Sequence, residues 1–182
     1  MPHTFKRLLL SGAMALGIGV ASLAPARAAS CANVLGSTPD LGKFAELVQL
    51  SGLAPQLASG ALTVFAPTNE ALGHIATVTQ MLEGQGSQGQ PDFPKLQTLV
   101  RAHLVSGAHP ASEMHGQVSL TTLAGTALAI NGADQRDILL SSSAPGSVNL
   151  SGMHLMPDVH VTGPALTCDN GVVYPISNAL VQ

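Results

Sequence analysis

Charged side chains are scarce in this sequence. Asp, Glu, Lys and Arg make up 9% of its 182 residues, against about 25% in an average globular domain. Seven basic and ten acidic residues give a net charge of −3, and no polybasic run occurs. Nucleic acids and anionic membrane surfaces are bound through clustered Lys and Arg. The sequence therefore argues against both kinds of partner.

Catalytic and phosphate-binding motifs are also missing. The sequence contains no Gly-x-Ser-x-Gly, no His-Glu-x-x-His, no P-loop, and no Gly-x-Gly-x-x-Gly after a predicted strand. The one sharp strand-to-helix turn, at residues 65–69, offers no Ser or Cys nucleophile, and no base can be assigned to Thr68. We therefore expect a protein that is not an enzyme, with no catalytic residue and no cofactor.

The first 28 residues have the pattern of a secretory signal peptide. Lys6 and Arg7 precede an apolar run, and Ala26-Arg27-Ala28 is a small-x-small cleavage site. The alternative, an uncleaved anchor, needs about 20 apolar residues, and this run is shorter. We predict cleavage after Ala28, a single domain over residues 29–182, no integral membrane span after cleavage, and export to a periplasm or beyond. Four basic and ten acidic residues then remain, so the mature net charge is −6.

Cysteine is nearly absent, since Cys31 and Cys168 are the only two. Both lie in the predicted mature chain, and two cysteines in an oxidising compartment most often form a disulfide. The alternative for Cys31 is lipid attachment, because it closely follows the signal sequence. Lipid attachment usually has Leu or a similar residue three positions earlier, where this chain has Ala28. We predict the disulfide, with the lipid anchor as the alternative.

Helical patterns come first in the mature chain and strand patterns later. Thr38-Pro39-Asp40 predicts a helix start, and an apolar face follows at Leu41, Phe44, Leu47 and Val48. Residues 62–65 predict a strand buried on both faces. Further strands are expected near residues 138–140, 159–161 and 172–176, with a hairpin turn at Asn170-Gly171. Helices followed by strands indicate an α+β fold.

The turn from strand to helix at residues 62–72, LTVFAPTNEAL, can be explained by local physical effects and requires no catalytic role. Pro67 lacks an N–H and cannot extend a strand ladder. Thr68 can cap the helix that follows, and Glu70 suits the positive end of the helix dipole. We therefore interpret this turn as a structural joint.

The same stretch resembles the first signature of the fasciclin domain, a secreted or cell-surface module. Other segments resemble further parts of that family in their usual order: KFAELVQLSGLAPQLASGA, LVRAHLVSG, TTLAGTALAING and DVHVTGPALTCDNGVVYPISNALV. The resemblance covers the chain from about Pro39 to its end. It implies a β-wedge or sandwich with helices packed against it. It also implies a non-catalytic role in cell adhesion or in matrix or cell-envelope association, with a protein or polysaccharide at the cell surface or in the matrix as partner.

Site residues implied by the resemblance are structural. They are Thr68 and Asn69 in the first signature and His103 in the central motif, where we expect a buried, hydrogen-bonded side chain. The family usually has Tyr before this His, and here the residue is Ala102. The receptor binding linked to that Tyr in some animal members is therefore not expected. Pro175, in the closing segment, predicts a sheet edge or a bulge.

One cluster suggests a different function. Met153, His154, Met156 and His160 lie within a short span, and thioether and imidazole ligands suit copper. Pro157 interrupts the strand on which they would share a face, and Met is also a common core filler. We therefore expect no metal, and keep a periplasmic copper-handling protein as the alternative. Residues 84–90, rich in Gly, Gln and Ser, form the candidate contact loop.

Overall fold

The computed structural model describes residues 29–74, 92–134, 137–143 and 159–180. Its α-helices are α1 (Cys31–Ser37), α2 (Gly42–Leu50), α3 (Ala54–Ser59), α4 (Asn69–Gly73) and α5 (Phe93–Ala102). Its strands are β1 (Leu62–Pro67), β2 (Leu104–Ser106), β3 (Gly116–Thr121), β4 (Ala127–Asp134), β5 (Asp137–Ser143), β6 (Val159–His160), β7 (Leu166–Cys168) and β8 (Gly171–Ile176). Short 3-10 turns lie at Pro39–Leu41 and Ala111–Glu113.

The described strands form two four-stranded sheets. The first sheet has the order β2-β1-β8-β7 and the second has the order β3-β4-β5-β6. β1 runs parallel to β8, whereas the other pairs are antiparallel. Two isolated bridges, Val105–Thr122 and Val161–Ile176, connect the sheets. Helices together with these sheets make an α+β fold, as the sequence predicted.

β1 separates two hydrophobic cores. All six of its residues are buried. Leu62, Val64 and Ala66 belong to a core formed largely with the helices, which we call the helix core. Phe65 belongs to a core formed largely by strands, which we call the strand core. The prediction that this strand is buried on both faces is therefore correct, and β1 contributes to both cores because successive side chains of a strand point to opposite faces.

The helices cover one side of the first sheet. The predicted apolar face of α2 is buried, with Phe44 and Leu47 fully so. The sequence patterns did not predict α1, which is only seven residues long and buries Cys31 and Leu35. A helix this short depends on tertiary packing rather than on its own propensity. Within the part of the chain that the structure describes, no helix combines the length and apolarity needed to cross a membrane.

Pro175 lies inside β8, which is flanked by β1 and β7. β7 pairs with β8 only from Gly171 to Val173, whereas β1 pairs with it along its whole length. Beyond Val173 that side of β8 meets residues 160–162 instead: the Thr162 N–H donates to the Pro175 carbonyl at 2.9 Å, and the Ser177 N–H donates to the His160 carbonyl at 2.8 Å. Pro175 therefore does not lie at an open edge, and the bond missing there is the one that its own N–H would have made.

Candidate functional site: the joint and its clamps

Thr68 forms the junction between β1 and α4. Its hydroxyl oxygen accepts a hydrogen bond from the Ala71 N–H at 3.2 Å, which caps α4. Its own N–H donates to the Ile176 carbonyl at 3.1 Å, which ties the junction to the end of β8. The hydroxyl is thus occupied by a helix N-terminus. Among the described residues, no hydrogen bond joins it to an imidazole or a carboxylate that could act as a base.

Asn69 caps a second helix, α2, from outside it. Its Oδ1 accepts from the Lys43 N–H at 2.9 Å, and its Nδ2 donates to the Pro39 carbonyl at 2.7 Å. The first N–H groups of a helix have no partner within the helix, and α2 has Leu41 at its N-cap position with no side-chain cap. The Thr-Asn pair of the joint therefore caps two helices.

His103 is fully buried and has both ring nitrogens bonded. Its Nδ1 lies 2.7 Å from the Leu99 carbonyl, and its Nε2 lies 2.9 Å from the Leu180 nitrogen. A backbone N–H can only donate, so Nε2 is the acceptor and Nδ1 carries the proton. Burial lowers the pKa of His103 to about 4, although the bond to Leu99 acts in the opposite direction. The neutral ring lies against Phe44, with ring centroids 5.4 Å apart.

Among the residues that the structure describes, one group resembles a nucleophile, a base and an acid: Thr63, His109 and Glu113. Thr63 Oγ1 donates to the Gly107 carbonyl at 2.8 Å and accepts from the backbone N–H of His109 at 2.9 Å. The His109 ring instead faces the Ser106 carbonyl at 3.2 Å and the Glu113 carboxylate at 3.3 Å. Because the ring does not meet the hydroxyl, the three groups do not form a catalytic triad.

Tyr174 fastens this same loop to β8. Its hydroxyl donates to the His109 carbonyl at 2.8 Å, and its ring stacks on Phe65 with centroids 5.6 Å apart. Burial, followed by the nearby charge of Glu113, raises the pKa of Tyr174 to about 12. The phenol therefore stays protonated at physiological pH and remains a hydrogen-bond donor.

Cys31 and Cys168 form a disulfide across 137 residues of sequence. Both are buried, and the bond joins the first turn of α1 to the end of β7. The predicted pairing is therefore present. A lipid thioether would need the same Cys31 sulfur, so the structure favours the disulfide over the lipid alternative.

Asn170 joins three distant segments, a role the sequence patterns did not indicate. Its Oδ1 accepts from the Cys31 N–H at 2.9 Å, and its Nδ2 donates to the carbonyls of Leu57 and Gly60, both at 2.8 Å. The predicted hairpin is present between β7 and β8, but its two loop residues are Asp169 and Asn170, one position before the predicted pair. At Gly171 a Cβ atom would collide with the Leu62 carbonyl, so glycine is required for β1 and β8 to approach.

The metal hypothesis receives no support. Met153, His154 and Met156 lie outside the described residues, as does the candidate loop at residues 84–90. His160 is exposed at the end of β6. Among the residues that the structure does describe, no three His, Cys, Asp or Glu side chains are grouped so that they would hold a metal ion.

A comparison with protein families decides the classification. A family model of the fasciclin domain matches residues 39–182. The chain belongs to the fasciclin domain family. The fold is similar to that of a solved FAS1 domain pair from the insect cell adhesion molecule fasciclin I, with a TM-score of 0.60 and 15% sequence identity. The match covers 86% of this chain and 52% of the insect chain, so this fasciclin-domain protein spans about half of that length. No curated protein matches the sequence.

Proposed function

We propose that this protein is an exported, non-catalytic interaction module that attaches to a protein or polysaccharide at the cell surface, in the matrix or in the cell envelope. The observation that carries the proposal is which groups the side chains of the motif residues bind. Thr68, Asn69 and His103 all direct their polar atoms into the fold, to helix ends and backbone groups. Residues used in this way stabilise a scaffold and leave recognition to the surface.

Export is supported by the N-terminal contacts. The buried disulfide fits an oxidising compartment. The Ala29 carbonyl accepts from the Asp169 N–H at 3.1 Å, and the Ser30 hydroxyl accepts from the Asn33 N–H at 3.4 Å to cap α1. Cleavage after Ala28 would keep every residue that makes these contacts.

The outer face of the second sheet is suited to a neutral partner. Its exposed described side chains on β3 and β4 are uncharged: Gln117, Ser119, Thr121, Ala129 and Asn131. Amide and hydroxyl groups offer hydrogen bonds without charge, which suits a neutral polysaccharide or an uncharged protein surface better than a polyelectrolyte.

The test is a binding isotherm of purified mature protein on washed envelopes from cells that lack it. We expect saturable binding by the disulfide-bonded protein and none by the same protein unfolded and alkylated. Protease treatment of the envelopes should abolish binding if the partner is a protein. Competition by neutral polysaccharide, with no effect of protease, would identify a glycan.

Two results would reject the proposal. One is the absence of saturable binding by a folded, exported protein. The other is substrate turnover, in a hydrolase screen, that Thr68→Ala abolishes while the protein remains folded, because this would make the joint an active site.

A further inference from the structure

Two Asn-Gly pairs occur in the sequence, Asn131-Gly132 and Asn170-Gly171. Asn before Gly is especially prone to deamidation, because the glycine has no side chain to hinder attack by its backbone nitrogen. That nitrogen bonds to the Asn side-chain carbonyl carbon, the amide nitrogen leaves as ammonia with the glycine N–H proton, and a cyclic imide forms. Water then opens the imide to aspartate or isoaspartate. Each pair is therefore a modification site wherever the fold lets the two groups meet.

The fold holds the side chain of Asn170 away from this reaction. Its Oδ1 accepts from the Cys31 N–H at 2.9 Å, and its Nδ2 donates to the carbonyls of Leu57 and Gly60, both at 2.8 Å. The attack requires the side-chain amide to turn toward the nitrogen of Gly171. The amide must therefore leave its three partners before it can react.

Gly171 is held as firmly as its neighbour. It is buried, and β1 passes so close that a Cβ atom at this position would collide with the Leu62 carbonyl. The Leu62 N–H also donates to the Asn170 carbonyl at 3.1 Å, which fixes the peptide between the two reacting residues. The Gly171 nitrogen therefore reaches the Asn170 side chain only when α1, β1 and the β7–β8 hairpin separate locally.

The disulfide opposes this local separation. The N–H of Cys31 bonds to Asn170, and the sulfur of Cys31 bonds to Cys168, which lies two residues before Asn170 at the end of β7. The bond thus ties α1 directly to the hairpin that contains the Asn-Gly pair. Without the bond, α1 depends on packing alone to stay on Asn170, because a helix of seven residues has little stability of its own.

Asn131 lies in a different environment. Its side chain is exposed on β4, and its backbone pairs with Gln117 on β3 and with Leu139 on β5. These ladders belong to the second sheet, whereas the disulfide ends on β7 of the first sheet. Asn131-Gly132 is therefore an internal reference with the same two residues and without the tether.

We propose that Asn170 is a deamidation site that the Cys31–Cys168 disulfide keeps unreactive. Deamidation replaces the Asn170 amide by a carboxylate, which cannot donate to the Leu57 and Gly60 carbonyls. Because the ammonia is lost, the amide is not restored. A chain that stays reduced after export would thereby lose the contacts that fasten α1, and the modification would mark it permanently. This inference goes beyond the proposed interaction role, which does not depend on it.

The test is peptide mapping by mass spectrometry of mature protein incubated at mildly alkaline pH. Deamidation is followed at both Asn-Gly pairs in the oxidised protein, in the reduced protein and in protein unfolded by urea. In urea the two pairs should react at similar rates, because only the local sequence acts there. The oxidised fold should slow Asn170 by about a hundredfold or more. Reduction should then speed Asn170 by about tenfold or more and leave Asn131 nearly unchanged.

A pair of variants tests the role of α1 with the disulfide intact. Ser30→Ala removes the hydroxyl that accepts from the Asn33 N–H and caps α1 beside Asn170. It should speed Asn170 deamidation severalfold, because the first turn of α1 opens more often. Ser37→Ala is the matched control at the other end of α1, where the hydroxyl bonds only to the Val34 carbonyl. It should leave the rate as it is in the parent.

The consequence of the modification is measured with the product itself. Asn170→Asp places the carboxylate opposite the two carbonyls and should lower the urea midpoint of the oxidised protein. Asn131→Asp makes the same change at an exposed position and should leave the midpoint close to that of the parent.

Three outcomes would overturn the proposal. The first is an Asn170 that deamidates as fast in the oxidised fold as in urea. The second is an Asn170 rate that Ser30→Ala leaves unchanged while reduction either has no effect or speeds both Asn-Gly pairs equally. The third is an equal urea midpoint for Asn170→Asp and Asn131→Asp, because deamidation would then break no contact that the fold needs.

Discussion

The helix core and the strand core share β1 but are held together in different ways. Around the helix core, single buried or half-buried side chains join elements that are far apart in sequence. These are the Cys31–Cys168 disulfide, Asn170, Asn69 and His103. The strand core is closed mainly by the backbone ladders of the second sheet, with Tyr174 tying one loop to it. Substituting one of these residues around the helix core should therefore lower the stability of the whole protein. Substituting one residue of the strand core should affect mainly the segment next to it.

The disulfide should show the largest effect. Replacing both Cys31 and Cys168 by Ala opens a loop of 137 residues, and the chain-entropy model sets the loss at about 4–5 kcal/mol of unfolding free energy as an upper figure. Urea unfolding of the parent, with and without reductant, and of the double variant measures this loss. Thiol labelling of the unreduced, unfolded parent should find no free thiol. An unchanged urea midpoint would show that the helix core does not depend on this bond.

Acid should destabilise the helix core through His103. Its pKa is about 4 in the folded protein and 6.5 in the unfolded chain, so the unfolded state binds the proton first. The free energy of unfolding therefore falls by about 3 kcal/mol as the pH decreases from 6.5 to 4. Above pH 6.5 the stabilising contribution of the neutral ring is complete. Chemical unfolding at a series of pH values measures the slope.

A matched pair of variants assigns this slope to one residue. His103→Gln should be less stable at pH 7 and should flatten the slope between pH 4 and 6.5. Thr68→Ala removes no titratable group, so it should leave the slope as it is in the parent. Equal slopes in the parent and His103→Gln would contradict the assignment.

Asn170→Ala comes next in size. The substitution leaves the Cys31 N–H and the carbonyls of Leu57 and Gly60 without their partner, which should cost roughly 2–3 kcal/mol. Thermal and urea unfolding measure the loss, with Asn33→Ala on the exposed side of α1 as the control. If the two variants have the same stability, Asn170 acts only as a turn residue.

Thr68→Ala should have a smaller effect. Loss of the hydroxyl that caps α4 should cost about 1 kcal/mol. Thr68→Ser keeps the hydroxyl and should retain most of the stability, which a urea titration of the two variants will show. A larger loss in the Ser variant than in the Ala variant would be inconsistent with capping.

Tyr174→Phe tests the strand-core side and should have a mainly local effect. The Phe65 stack remains, whereas the bond to the His109 carbonyl is lost at a cost of about 1 kcal/mol. Hydrogen exchange should become faster in residues 107–113 and should not change in α2. If hydrogen exchange became equally faster in α2, losing this bond would affect both cores alike, and the comparison would be wrong on this point.

Sequence patterns predicted the features that depend on neighbouring residues. The buried face of α2, the two faces of β1 and the turn before Gly171 follow from periodicity and turn chemistry over a few positions. The parallel pairing of β1 with β8 was not predicted, because the two strands are more than 100 residues apart. The same distance hides the role of Asn170, whose three partners lie 110 to 139 residues away.

Short elements and tertiary caps were also beyond local patterns. The seven residues of α1 carry no long periodicity, and the helix is fixed by the disulfide and by Asn170. Asn69 was expected to be structural from the resemblance. Its task of capping α2 depends on the position of Lys43, which is 26 residues away. Such contacts are determined by the packed fold rather than by the residues near them in sequence.

Envelope binding by the folded Thr68→Ala variant tests the central claim most directly. The claim is that the joint stabilises a scaffold for an exported interaction module and performs no chemistry. At a temperature where both proteins are folded, the account predicts that the parent and Thr68→Ala bind washed envelopes saturably and with the same affinity. Absence of binding by the parent, or loss of binding or turnover in the folded variant, would contradict the account.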